Sequence, residues 1–148
     1  ITYVPVDFET DDLKEKLTSA GYETTRKTLF IWEGVTCYLE QEAVEDTLAF
    51  IVGNSANGSK LAFDFLLPDV VDGASKDKLA KSMHKLVLKK GEPFKFGISP
   101  ADMEDLLKVH QFSEFKICST FDIRETHFHG KNANRKVSHL FNFVCAVT

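Results

Sequence analysis

The chain's 148 residues are enough for one domain with a real core, and 43% hydrophobic against 27% charged residues is the balance of a globular protein. No apolar run approaches the ~20 residues of a membrane span, and no basic segment leads into an apolar one as a secretory leader requires. The formal charge of −4 divides unevenly: residues 1–74 hold 14 acidic and 5 basic side chains, residues 75–148 hold 8 and 13, and the acidic first half argues against nucleic-acid binding, whose affinity comes mostly from phosphate neutralisation.

In chain order, Tyr3-Val4-Pro5-Val6 reads as a short strand, with Pro5 suited to an edge because it lacks an amide hydrogen. Asp7 and Phe8 stand at its carboxyl end. Thr10 is expected to cap a helix opened by Asp11 and Asp12, with Leu13, Leu17 and Ala20 on its apolar stripe and Gly21 stopping it. Leu29-Phe30-Ile31-Trp32 is an unbroken apolar run that stops at Glu33-Gly34. Such a run suits a strand covered on both faces, as in a parallel sheet flanked by helices. Ligands of open sheets of that kind bind just beyond the carboxyl ends of the strands, which is where Glu33 and Gly34 fall.

A second helix is expected from Gln41 to Val52 with Val44, Leu48 and Ile51 on one face, and a further strand from Lys60 to Leu67 carrying Asp64. Strand, helix, strand, helix, strand argues for parallel pairing with right-handed crossovers. Ser75 to Lys90 reads as a strongly basic helix with Leu79, Met83, Leu86 and Val87 on one side, and its lysines read as a solvated face. Glu92 to Ile98 reads as a loop or short extended piece. Ser99-Pro100-Ala101-Asp102 is a helix start, with a capping serine, a first-turn proline and an acid where a capping box wants one. Glu114 to Thr120 alternates as a strand, and Leu140 to Val147 is a near-continuous apolar strand. No repeat, linker or low-complexity tract interrupts residues 1–148, which read as one domain.

With the elements in order, Tyr3-Val4-Pro5-Val6-Asp7-Phe8 followed by Leu29-Phe30-Ile31-Trp32-Glu33-Gly34-Val35-Thr36-Cys37-Tyr38-Leu39 resembles the leucine carboxyl methyltransferase family. Ser55-Ala56-Asn57-Gly58-Ser59, Phe63-Asp64-Phe65 and Gly91-Glu92-Pro93-Phe94-Lys95-Phe96-Gly97-Ile98 add to the likeness, which spans about residues 2–112 and weakens afterwards. The resemblance implies an α/β fold: a partial Rossmann-like methyltransferase sheet, mostly parallel with an antiparallel C-terminal strand, and helices on both faces. It implies S-adenosyl-L-methionine (SAM) as cofactor and methylation of an oxygen, carboxylate or hydroxyl, of a small molecule or protein.

By the same resemblance Asp7 and Phe8 would hold adenine, and Glu33 with Gly34 would lie at the methionine end. A carboxylate can accept from an exocyclic amine and an aromatic ring can stack on a base. Tyr38 matches a tyrosine on the substrate side, though its residue type equally suits a core aromatic with a satisfied hydroxyl. No general base is identifiable. Asp64, in an apolar strand, is expected to have a partner.

The family's glycine-rich loop belongs to a strand before Ile1, and no Gly-x-Gly pattern occurs in these residues. The chain therefore reads as the C-terminal portion of such a methyltransferase, with two alternatives: an enzyme, or a catalytically inactive remnant acting through protein association. Because exposed strand edges are sticky, a homodimer or a complementary chain is expected. Cys37, Cys118 and Cys145 are odd in number and far apart, which reads as free thiols in a reducing cytoplasm. Glu125, His127 and His129 would share a face on a strand and suit a divalent metal, but a fourth ligand is not evident and methyl transfer to oxygen needs none, so no metal is expected.

Overall fold

The apolar runs Leu29–Trp32 (β1) and Lys60–Leu66 (β2) pair in parallel, with Phe30 opposite Leu61 and Trp32 opposite Phe63. The computed structural model describes residues 1–148. Between the two strands lies the helix Gln41–Gly53 (α2), the crossover that parallel pairing requires. Glu114–Ser119 (β3) and Phe141–Val147 (β4) complete the sheet in the order β1-β2-β4-β3. β4 runs antiparallel to both its neighbours, so β1, β2 and β3 point one way and the C-terminal strand runs against them.

Strand alternation sends Phe30, Trp32, Leu61, Phe63, Phe65, Val144 and Ala146 to one face. There they meet Val44, Leu48 and Ile51 of α2 and Met103 and Leu107 of the helix Pro100–Val109 (α5), forming the larger core. The short helix Leu13–Ser19 (α1) adds Leu13 and Leu17 to its edge. A second cluster joins Leu66, Phe94 and Leu140 to Val70 and Val71 of helix Pro68–Val71 (α3), and to Ala80 and Val87 of helix Lys78–Lys90 (α4). The buried side of α4 is thus centred on Ala80 and Val87, while Leu79 and Leu86, expected inside, are 40% and 51% exposed. The α4 lysines face solvent and make no ion pair.

Local chemistry sets most helix starts. Ser99 accepts from the Asp102 amide with Pro100 in the first turn, and Asp77 accepts from the Leu79 and Ala80 amides. At α1 the cap is Asp12, accepting from Glu15 N at 3.0 Å, and not Thr10. Asp7 takes the preceding turn: its carbonyl accepts from Thr10 N and Asp11 N, so Thr10 is spent inside that turn.

Two expectations about strands are corrected. Tyr3–Val6 belongs to no strand, because none lies beside it to receive its hydrogen bonds and Pro5 has none to donate. β1 is a strand, but it is not covered on both faces. It is an edge, and Leu29 and Ile31 on its second face are 62% and 70% exposed. On that side the helix Thr120–His127 (α6) brings Ile123 to a hollow that it lines with Ile31, Ala62 and Phe143.

Candidate functional site

The carboxyl end of β1 turns sharply at Glu33-Gly34. Gly34 sits at φ +69°, a conformation that costs a side chain about 1–2 kcal/mol. The turn is held from the neighbouring strand: Gly34 N donates to Asp64 Oδ1 at 2.9 Å, and the Thr36 hydroxyl donates to the Asp64 carbonyl at 2.6 Å. Asp64 is therefore the turn's anchor, the partner that its apolar strand called for. Its side chain is buried, and burial pushes its carboxyl up from the ordinary range. The Gly34 N–H opposes that push, and the nearby charge of Glu33 adds to it. Two carboxylates thus line one hollow in different surroundings. Asp64 is buried and hydrogen-bonded, while Glu33 is exposed and makes no hydrogen bond or ion pair.

The N-terminal arm reaches the same end of the sheet through aromatic contact. Phe8 stacks on Trp32 with ring centroids 5.9 Å apart and planes at 28°, which sets the Asp7–Phe8 segment against the residue just before Glu33. Asp7 Oδ1 accepts from Glu9 N at 2.9 Å and its own amide donates to Asp11 Oδ2 at 2.9 Å, leaving Asp7 Oδ2 free as an acceptor.

Tyr38 closes a 3₁₀ turn (Thr36–Tyr38) beyond Gly34 and packs on Phe94 at 5.4 Å, 38% exposed. Partial burial is the main cause raising its phenol above the ordinary value, with the neighbouring Cys37 and Glu92 adding to it. Cys37 is buried and pushed up to about 11, so it is an inert thiol at neutral pH.

One residue escaped the sequence reading. Lys95 lies 2.8 Å from Glu9 and 3.2 Å from Glu40, tying the arm, the start of α2 and the Gly91–Ile98 loop together. Its hydrogen bond to Glu9 is the main cause lowering the Glu9 carboxyl and raising the Lys95 ammonium. The only signal in the sequence was a single cation between two phenylalanines in the Gly-Glu-Pro-Phe-Lys-Phe-Gly-Ile segment.

The larger hollows divide these residues. Phe8 lines a hollow of about 540 Å³ with Asp11, Asp12 and Asp46. Glu33 and Asp64 line one of about 260 Å³, and Tyr38 and Lys95 one of about 410 Å³. Of the proposed metal ligands, Glu125 and His127 sit on α6 rather than on a strand, so a two-residue spacing turns them to different sides, and the His129 ring meets the Thr126 carbonyl at 3.1 Å. No group of three or more His, Cys, Asp or Glu side chains is placed to hold a metal ion.

The family model for leucine carboxyl methyltransferase matches residues 1–52, the stretch that holds Asp7, Phe8, Glu33, Gly34 and Tyr38. Over that stretch the chain is similar to the leucine carboxyl methyltransferase family. Over 145 residues it is 23% identical to a Bacillus subtilis protein named "Putative S-adenosyl-L-methionine-dependent methyltransferase YktD", covering 98% of this chain and 47% of that protein. A Mycolicibacterium gilvum protein of the same description is 38% identical over 69 residues, 47% of this chain and 22% of its own length. The chain spans about half the length of the Bacillus relative.

Solved structures share the fold. A DUF574 family protein from Streptomyces avermitilis superposes with a TM-score of 0.60 at 11% identity, over 89% of this chain and 48% of that one. A SAM-dependent methyltransferase from Archaeoglobus fulgidus gives 0.56 at 10% identity, over 93% and 66%. The chain therefore shares a Rossmann-like fold with these structures, with its last strand antiparallel.

Proposed function

We propose that this chain is the cofactor-binding and substrate-facing part of a SAM-dependent methyltransferase that methylates an oxygen, carboxylate or hydroxyl, of a small molecule or protein. The observation that carries the reading is the Phe8–Trp32 stack, which joins the Asp7 turn to the Glu33 strand tip at one end of the sheet. The match of the leucine carboxyl methyltransferase model to those residues supports it.

The residues present fit the cofactor in kind. Asp7 Oδ2 is free to accept from an exocyclic amine, Phe8 offers an aromatic face, and the Glu33 carboxylate is unpaired and suits an ammonium or sulfonium. When bound, SAM supplies an electrophilic methyl group. The chain's contribution is positioning: Asp64 fixes the Gly34 turn so that Glu33 is held at the rim, while Tyr38, the substrate-side residue of this reading, lines a separate hollow with Lys95. A substrate oxygen attacks in line, with little covalent help from the protein.

Isothermal titration with SAM and with its demethylated product tests this. Binding by the chain is expected, weakened about tenfold by Glu33→Gln, the loss of roughly one charge interaction. Heat at dilution level with both ligands up to millimolar concentration would refute it.

A second reading, a catalytically inactive chain acting by association with another polypeptide, is favoured by one observation: the bare edge of β1 with Leu29 and Ile31 exposed. Binding of neither ligand, together with a stable hetero-complex, would select it.

A further inference from the structure

The helix α4 carries its charge on one side. At about 100° per residue, Lys78, Lys81, Lys85 and Lys89 fall within about 80° of one another, on the side opposite the buried Ala80 and Val87. They make a stripe about 17 Å long that points away from the core. Lys76 precedes the helix and Lys90 ends it, so residues 75–91 hold six lysines against one acid, Asp77. That acid is already engaged: one oxygen accepts from the Leu79 and Ala80 amides, and the other meets the His139 ring at 3.0 Å. None of the six lysines has a carboxylate partner.

Leucines border the stripe. Leu79 and Leu86 share the flank on one side and Leu88 lies on the other, and they are 40%, 51% and 52% exposed. Lysines spaced three and four apart repel one another, and leucines in water are disfavoured, so the helix as it stands bears both penalties. A surface that offers negative charge and apolar depth together relieves both. A sheet of acidic phospholipids does so, with headgroup phosphates and carboxylates for the ammonium groups and the acyl boundary beneath for the leucines. Nucleic acids and acidic peptides bring the charge without the apolar layer. A helix that lies on such a surface need not cross it, and no helix of this chain is long and apolar enough to cross a membrane.

We propose that α4 docks the protein on an acidic phospholipid surface, with the lysine stripe on the headgroups and Leu79, Leu86 and Leu88 entering the boundary below them. The lysine stems lie along the same boundary with their charged ends in the headgroup layer. The proposal stands apart from the cofactor reading, because none of these residues lines the hollows of Phe8, Glu33 or Tyr38.

The test is flotation of the whole chain with vesicles of phosphatidylcholine alone, or of phosphatidylcholine with about a third phosphatidylserine. Binding is expected to the acidic vesicles only, weakened at least about tenfold between about 0.1 M and about 0.5 M salt. Lys81→Gln with Lys85→Gln should weaken it about 25-fold, about fivefold for each lysine at the surface. Both positions are exposed, so the melting temperature should hold. Lys14→Gln with Lys60→Gln makes the same change in net charge elsewhere on the surface and should leave binding unchanged. Leu86→Ser should weaken binding about tenfold and keep its salt dependence. No binding to acidic vesicles, equal binding to phosphatidylcholine alone, an equal loss in the Lys14 and Lys60 pair, or unchanged binding by Leu86→Ser would overturn the proposal. So would tighter binding to a DNA duplex or to polyglutamate than to the vesicles, since the stripe would then belong to a nucleic acid or an acidic polypeptide.

Discussion

Asp64→Ala should cost more than the size of the side chain suggests. Asp64 is 7% exposed, and its carboxylate is the acceptor for the Gly34 amide at 2.9 Å, where the chain turns with φ +69°. Alanine removes that part-buried hydrogen bond to a carboxyl group, a loss of about 1–3 kcal/mol. For a domain of this size each kcal/mol is worth about 2–4 °C, so the melting temperature should fall by about 2–12 °C. Asn keeps an oxygen at the acceptor position and should lose little of this at acid pH.

The pH dependence separates the two effects. Burial first, and the charge of Glu33 in addition, raise the Asp64 carboxyl against the opposing Gly34 N–H, so the folded chain holds this proton to higher pH than the unfolded chain does. The stabilisation linked to that proton is fully present below the unfolded value of about 4 and is lost as pH rises through the folded one. Asn does not titrate, so its stability relative to the parent chain should improve as pH rises across that window. Thermal melts of all three chains from pH 4 to 8 read both effects. An alanine variant that melts with the parent, or an asparagine variant with the parent's full pH slope, would refute the assignment of Asp64 as the anchor of the turn.

Other substitutions test the same framework. Gly34→Ala meets no atom within 4 Å, so its cost should be purely conformational, about 1–2 kcal/mol, with Gly34→Asn milder by denaturant titration. Gly97→Ala is a different case. Its added carbon would come within 2.7 Å of the Val71 side chain and 3.0 Å of the Pro68 Cα, an overpacking worth about 1–3 kcal/mol in the same assay. Met103→Ala, at a fully buried position of the larger core, should cost about 2–5 kcal/mol. Lys95→Met should speed amide exchange at residues 7–11 without lowering the melting temperature appreciably, because it releases Glu9 and Glu40 at the surface but disturbs no core residue. Exchange unchanged from the parent would show that the arm is held by the Phe8 contact alone.

What the sequence revealed and what it hid follow one division. Features decided within a few residues were legible. The Ser99-Pro100-Asp102 helix start, the Val44–Leu48–Ile51 face of α2 and the apolar runs of β2 and β4 all formed as read, because capping and periodicity are local. One local signal was passed over: Ser119 and Asp122 form a capping box, the mark of a helix start, in a stretch where the alternation of Glu125, His127 and His129 suggested a strand.

Features that need a distant partner were not legible. The Tyr3–Val6 residues suit a strand in type, but a strand exists only where a neighbour accepts its hydrogen bonds, and none stands there. β1 reads as a doubly covered strand because its side chains are apolar on both faces. Composition records the preference for cover and not whether cover is supplied, which is why Leu29 and Ile31 are in water. The site divides the same way. Glu33-Gly34 could be picked out because an acid and a glycine end an apolar run. The bond that holds them comes from 30 residues away in Asp64, and Lys95 reaches Glu9 across 86. The strand tips are therefore specified twice, locally by the residues that end β1 and remotely by the side chains that pin them, and only the first set announces itself in the sequence.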